Sequence, residues 1–520
     1  MNMKKFYWKI IFLLFLINSN FCFSQMQTDW VRRYTGPGSL GDGAGPICVD
    51  DSGNVFITGV VSLSNSVQVC TTIKYNRYGD SLWVRNYRRP GENYNIGHDI
   101  KIDDSGNVYI AGAISLIKYD KYGNLKWTRY DSTDYNKLVI DSLGNIYVAG
   151  LGQGRYIVAK YDQNGNRYWI NKHPGAYRLH DLTMDNSGNI LISVETEYND
   201  TYYDYNTIKY TNDGRIIWIR HYNGPGPAPL ADDIPFALTT DNNANVYVTG
   251  ASQDPSSTYN CATVKYDSSG NIVWISRIYP PVVGYDIEVD KFQNVYITGR
   301  SDGTNNTLKL DINGNVIWSR TYPTTDGFAT NVSVLILDSI YNIYVTANID
   351  SNLYTRYGAI KYDNNGNQLF VVNYTYPGNR FNYVQGMFVD KLGNVYLTGE
   401  SQGAYYDYAT VKYSPIITGI SENILNPEKY ELEQNYPNPF NPSTKIKYTL
   451  PKEGIVKITI YNSLGQRVTE LVNEFKQPGA YIAEFSARLK EQGVDFPSGI
   501  YFYQLESNGI VITRRMLLIK

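Results

Sequence analysis

One unit written out eight times constrains this chain more than any other feature. Its clearest copy runs from Asp241 to Tyr279: DNNANVYVTG, a loop, then NCATVKYDSSGNIVWISRIY. Copies open with D-x-x-G-N at Asp50, Asp103, Asp141, Asp185 and Asp390, and with the glycine replaced at Asp241, Asp290 and Asp338. Every copy closes the turn with asparagine, from Asn54 to Asn394. An Asp carboxylate accepts backbone N–H groups two residues on, and Gly or Asn tolerates positive φ, so each copy predicts a tight hairpin. A short apolar run precedes each Asp (ICVD, IKID, LVID, LTMD, LTTD, IEVD, LILD, MFVD), and a β-branched or aromatic run follows each Asn. These are strands a and b.

A third run ends in Lys-Tyr, as at Lys74-Tyr75 and Lys265-Tyr266, and leads into a second Asp/Gly turn. Four residues past that glycine stands Trp83, Trp127, Trp169, Trp218, Trp274 or Trp318, with Phe370 keeping the place in the seventh copy. These are strands c and d. A period of about 49 residues signals a propeller, a solenoid or an array. Four strands per unit without helical periodicity predict an all-β propeller, eight-bladed by the count of Asp–Asn turns. The eighth copy stops at Tyr413 without its tryptophan strand, whereas Trp30-Val31-Arg32-Arg33-Tyr34 has the look of a d strand with nothing of a to c before it. The N-terminal strand is therefore expected to complete the last blade and leave no edge unpaired.

The unit resembles the beta-propeller repeat known as SBBP, over residues 30 to 413. That family is named for seven blades, which keeps seven as the alternative count. The Gly-x-x-x-Trp spacing also resembles the tryptophan-docking motif of quinoprotein dehydrogenases and outer-membrane assembly propellers. By that resemblance Trp30, Trp83, Trp127, Trp169, Trp218, Trp274, Trp318 and Phe370 pack between blades, and no cofactor is implied.

Charge is nearly balanced, 47 Lys plus Arg against 49 Asp plus Glu, which argues against a nucleic-acid partner. Met1 to Ser24 has the form of a secretory signal: Lys4, Lys5 and Lys9, an apolar run from Ile10 to Ile17, and a cleavage site before Gln25. No later run is long enough to span a bilayer. That cleavage removes Cys22; the remaining Cys48, Cys70 and Cys261 are an odd set without metal spacing and are expected to be buried and unpaired.

After Tyr413 the repeat fails. Residues 25–413 are assigned to the propeller, 414–430 to a linker and 431–520 to a small Ig-like β-sandwich, with strands at Thr444–Leu450, Val456–Tyr461, Tyr481–Phe485, Ile500–Leu505 and Ile510–Ile519. The proline run from Asn435 to Pro442 suits an extended lead-in. This module resembles the type A C-terminal sorting domain of the type IX secretion system. The resemblance lies in QNYPNPFNP from Gln434, VKITIYNSLGQ from Val456, SGIYFY from Ser498, and the terminal Arg514, Arg515, Met516, Leu517, Leu518, Ile519 and Lys520. It implies that those last residues are a sorting signal read by an outer-membrane translocon. It also implies an extracellular or outer-surface location, reached by Sec-dependent passage through the periplasm.

No H-E-x-x-H, G-x-S-x-G or Cys-x-x-Cys occurs, and His98, His173, His180 and His221 are scattered. The Asp-Gly turns carry too few carboxylates for calcium loops. The eight strand-c lysines, Lys74 to Lys412, are expected to lay their stems between sheets and reach the turn Asp or solvent. Ligand contact is expected on the b–c and d–a loops, which vary. Tyr202, Tyr203, Asp204, Tyr205, Tyr405, Tyr406 and Asp407 are the candidates for a glycan or protein ligand. The expectation is a secreted or surface-displayed binding or structural module. The alternatives are a propeller enzyme acting on extracellular polysaccharide and, less favoured, a quinoprotein-like dehydrogenase.

Overall fold

The computed structural model describes residues 26–519 except 39, 65–66, 114, 131–132, 198–202, 227–230, 280–281, 302–303, 324–333, 352–353, 377–380, 417–428, 477 and 490–493. The expected signal segment lies outside these residues, as do Tyr202 and Lys520. The chain divides into two compact units, Met1–Ile417 and Thr418–Lys520.

The first unit is eight four-stranded antiparallel sheets. Sheet 1 is typical: Gly43–Val49, Val55–Ser64, Val67–Tyr75 and Ser81–Tyr87, in that order. The first strands of sheets 2 to 7 are Gly97–Ile102, Asp134–Ile140, Ala176–Met184, Asp233–Thr240, Val283–Val289 and Leu335–Leu337. Sheet 8 takes Asn382–Val389, Val395–Gln402 and Tyr406–Pro415 from the end of the repeat and Met26–Tyr34 from its beginning. Trp30 stands opposite Lys412 and Tyr34 opposite Tyr408. Arg33 pairs with Asp407 at 2.6 Å and Lys412 with Asp29 at 3.1 Å. From sheet 1 to sheet 7 each first strand packs on the next, and Asn382–Val389 packs on Gly43–Val49.

The turns explain why the repeat reads as it does. Asp50 Oδ1 accepts N–H from Ser52 (3.0 Å) and Asn54 (2.8 Å), while its Oδ2 accepts the Asn54 amide (2.7 Å). The residue before Asn is left-handed in every described copy: Gly53 has φ 78°, and the replaced copies hold Ala244 at 59°, Gln293 at 65° and Tyr341 at 61°. The turn geometry therefore outlasts its glycine.

Seams between sheets are made by the second motif. A Cβ at Gly123, Gly214 or Gly270 would stand 2.8, 2.7 or 2.9 Å from Cδ2 of Trp83, Trp169 or Trp218 in the preceding sheet, so only glycine lets the indole lie flat on the turn. Each indole N–H donates to a carbonyl of that turn, Trp83 to Lys121 at 3.3 Å and Trp318 to Asn364 at 3.1 Å. Two residues on, Arg85 and Arg320 Nε donate to Gly123 and Gly366 carbonyls at 2.6 Å. The seam from sheet 8 to sheet 1 has the same chemistry: Trp30 covers Gly79 and donates to Arg77 O (3.1 Å), and Arg32 Nε donates to Gly79 O (2.6 Å). Phe370 is the exception for a physical reason. Sheet 8 joins its last two strands from opposite ends of the repeat, so no c–d turn and no glycine await an indole there.

The strand-c lysines do lie between sheets, but their ammonium groups mostly meet partners other than the turn Asp. Lys118 donates to Gln163 O of the next sheet at 2.8 Å and sits 4.8 Å over the Tyr109 ring. Only Lys209 (2.8 Å to Asp185) and Lys361 (3.5 Å to Asp338) show the expected pairing with their own turn Asp among the described residues.

The second unit packs Glu431–Leu432, Ser443–Leu450 and Gly479–Ser486 as one sheet and Arg467–Lys476, Gly454–Asn462, Gly499–Ser507 and Ile510–Leu518 as another. Ile446, Leu450, Ile458, Phe485, Tyr503 and Leu518 meet in its core. Arg467–Lys476 escaped the sequence reading because it is a charged edge strand facing water. The proline run is no simple extended lead-in. It folds back, with Tyr436 bridging to Lys445 and the Phe440 ring, 2% exposed, inserted into the core.

Candidate functional site

Along the first strand of seven sheets the ladder slips by one or two residues, just ahead of the apolar run. A bulge leaves its extra residue unpaired and re-aims the side chain. The residues passed over are Gly45-Pro46, His98, Asn136, His180, Phe236, Tyr285 and Gln385; the counterpart in sheet 7 lies outside the described residues. In a repeat this uniform, a position that changes from glycine to histidine to phenylalanine is where symmetry has been given up.

These strands line a cavity of about 600 Å³ that touches the first strands of seven sheets and, at sheet 7, Val334 just ahead of its first strand. One wall is aromatic: Phe236 packs on Tyr285 with centroids 4.9 Å apart, and His180 meets the Phe236 ring edge-on at 5.3 Å. His180 Nε2 lies 3.0 Å from Glu195 Oε2, and His98 Nε2 lies 3.0 Å from Asp134 Oδ1. Sheets 8, 1 and 2 face the cavity with Gly43, Gly45, Gly97 and Gly386. A Cβ at Gly43 would come within 2.9 Å of Glu400 Oε1, so glycine makes room for that carboxylate.

The residue after the bulge is Asp in sheets 2, 4 and 6, and each of these acids ties its sheet to the next. Asp99 Oδ2 accepts the Leu138 N–H (2.9 Å), Asp181 the Leu238 N–H (3.1 Å) and Asp286 the Leu335 N–H (2.7 Å). Lys137 sits 3.1 Å from Asp181, whose charge raises the lysine above its usual value, and Lys101 sits 3.3 Å from Asp99. Burial pushes the Asp286 carboxyl up to about 7, with Asp181 adding to it, and burial with the neighbouring Asp286 pushes Glu288 up to about 8. Burial also raises Glu400. A cavity with an aromatic wall, two lysines already paired with Asp181 and Asp99, and the Asp286 and Glu400 carboxyls pushed upward by burial can hold a ring or a cation.

The residues expected at the ligand face are scattered by burial. Tyr205 is fully buried and donates to Ala262 O of the next sheet at 3.1 Å; Tyr357 and Tyr408 repeat that contact with Ala409 O (2.9 Å) and Thr71 O (3.4 Å). Asp204 is buried and Tyr203 half-buried. Asp407 is buried against Arg33. Tyr405 is exposed, and Tyr406 is half-buried with its ring 6.1 Å from Tyr383, which stacks on Phe381 at 6.4 Å. Sequence reading passed over the cavity residues because they sit on strands, among core positions. The signal available was the unequal residue immediately ahead of each apolar run.

In the second unit the terminal strand alternates. Met516 and Leu518 are 1% exposed, whereas Leu517 and Ile519 are 36% and 49% exposed. Arg514 Nε donates to Leu432 O, Gln434 donates to Arg515 O (2.8 Å), and Phe440 N–H donates to Leu517 O (2.9 Å). The proline motif and the terminal strand are thus one latch.

Three cysteines are free and buried, and no helix among the described residues is long and apolar enough to cross a membrane. The model of the secretion system C-terminal sorting domain matches residues 434–520, and that of the beta-propeller repeat matches residues 126–156. No curated protein matches the chain. Among solved structures, BamB from Moraxella catarrhalis is similar with a TM-score of 0.48 at 13% identity, over 75% of this chain and 100% of that one. Virginiamycin B lyase from Staphylococcus aureus gives 0.39 at 16% identity over 62% and 96%, and polysaccharide lyase Uly1 gives 0.41 at 10% over 73% and 91%. The chain carries a beta-propeller repeat domain and a type IX secretion system C-terminal sorting domain, which addresses it to the extracellular space or the outer cell surface after passage through the periplasm.

Proposed function

We propose that the eight sheets form a closed eight-bladed propeller, residues 25–413, displayed outside the cell as a binding module. Residues 1–24 are its export signal, 414–430 a linker and 431–520 the address read by the translocon. The seam between sheets 8 and 1, with the same tryptophan and arginine contacts as the seams at Trp83, Trp127, Trp218 and Trp318, supports closure. Binding is supported by one observation above the rest: the bulged position that differs from sheet to sheet lines the 600 Å³ cavity in five sheets, with Gly45-Pro46, His98, Phe236, Tyr285 and Gln385. Pockets of that size, largely preformed and with a few convergent polar groups, are where ligands settle. Tyr405 and Tyr406 are further proposed contacts, with Tyr203, Asp204, Tyr205 and Asp407 as supports of the loops beside them; Tyr202 lies outside the described residues. Within the sorting domain, the outward Arg515, Leu517 and Ile519 are the translocon's contacts.

Screening the purified propeller against glycan and peptide arrays tests the binding reading. Retention of a ligand that Phe236→Ala abolishes supports it; arrays silent for the wild type contradict it. The polysaccharide-enzyme reading has one support, the adjacent carboxyls of Asp286 and Glu288. Both are pushed upward, whereas glycoside hydrolysis asks for one protonated and one ionised group. Release of reducing ends, lost in Asp286→Asn, would restore it.

A further inference from the structure

Resting on the reading that the cavity binds a ligand, we propose that its ligand class is an organic cation: a primary ammonium or guanidinium on a flexible chain, held between the Phe236–Tyr285 face and Glu400. The argument is one of unmet charge. Asp99 and Asp181 are each satisfied twice, by a lysine and by a neighbouring strand's N–H. Asp286 takes its hydrogen bonds from backbone N–H groups, of Ile287 (2.9 Å) and Leu335 (2.7 Å), and shares the charge of Lys137 with Asp181. Glu400 has neither a hydrogen-bond nor an ion-pair partner among the described residues, although it faces the same cavity. Each lysine of the cavity already stands beside another acid, Lys137 beside Asp181 and Lys101 beside Asp99, so the carboxyl left without a cation is Glu400.

An ionised carboxylate in such a place is costly unless a counter-ion arrives. A ligand cation supplies it, and the aromatic pair adds attraction through the ring quadrupoles once water is displaced. Gly43 leaves the Glu400 carboxylate its place at the cavity wall. A metal ion fits less well, because no group of three His, Cys, Asp or Glu among the described residues is placed to hold one. A neutral sugar could stack on Phe236 and Tyr285 but would leave Glu400 uncompensated.

Isothermal titration of the full chain with spermidine, arginine amide and cellotetraose tests this. The expected result is binding of both cations, weakened at least tenfold by Glu400→Gln and by Phe236→Leu, with Glu453→Gln in the other unit without effect. Glu400→Gln keeps the shape and removes a buried charge, so a folding defect is not expected; a thermal melt at or above the wild-type midpoint confirms that the lost affinity is local. Cation binding indifferent to Glu400→Gln overturns the proposal. Cellotetraose binding that Phe236→Leu removes, with neither cation binding, also overturns it while leaving the binding reading standing. Silence toward all three probes overturns it as well, and the arrays then decide the broader reading separately.

Discussion

Ala244, Gln293 and Tyr341 hold left-handed backbone where the other copies of the turn hold glycine. For a residue with a side chain that conformation costs roughly 1–2 kcal/mol, partly offset because glycine loses more entropy on folding. Gln293 recovers some of this, since its Oε1 accepts the Lys265 ammonium at 2.7 Å. Ala244 recovers nothing comparable. Ala244→Gly is expected to raise stability by about 0.5–1 kcal/mol, read as a shift of the denaturant midpoint at unchanged slope. Glu288 gives a second prediction. Its carboxyl rises from an unfolded value near 4.5 to about 8, because burial and Asp286 disfavour its charge. Stability tied to it is complete below the unfolded value and is lost as pH rises through 8. Thermal midpoints should therefore fall between pH 5 and pH 9, and Glu288→Gln should flatten that fall and raise the midpoint at pH 9 by at least about 2 °C. Asp181 and Lys137 share the cavity, so a parallel Lys137→Met variant separates their contribution.

Elements meet through glycine, tryptophan and arginine, and the seams can be tested against a matched control. Gly188 has φ 78° and open space beside it; Gly270 has φ 85° and the Trp218 indole 2.9 Å from where a Cβ would stand. Gly188→Ala should cost about 0.5–1 kcal/mol, the backbone term alone and the reverse of Ala244→Gly. Gly270→Ala adds overpacking and should cost about 2–4 kcal/mol by chemical denaturation. In the sorting domain the same logic separates folding from recognition. Leu518→Asp puts a charge into the core and should unfold the domain, whereas Ile519→Asp on the exposed side should leave its melting unchanged and lower secretion into the medium.

At the scale of the whole molecule, sheet count and strand order were legible because each turn needs Asp and Asn, each seam needs Gly and Trp, and those needs recur every copy. The missing d strand after Tyr413 and the orphan Trp30 segment pointed at each other for the same reason. The cavity was illegible because its residues, His98, Asp181, Phe236 and Tyr285 among them, sit inside strands that read as core, and only the bulge turns them inward. The buried Tyr205 shows the converse: a residue beside a variable loop read as surface, although its ring spans to the next sheet. The account depends most on the first strand meeting the last. Exposed Gln27 faces half-buried Ser414 across that ladder, and Cys48, Cys70 and Cys261 are buried. Antiparallel partners stand about 4.5–5.5 Å apart at Cα, within disulfide reach. Mild oxidation of the Gln27→Cys/Ser414→Cys variant, followed by peptide mass spectrometry, should find the two joined in nearly every folded monomer, while folded monomer with both thiols free would contradict the account.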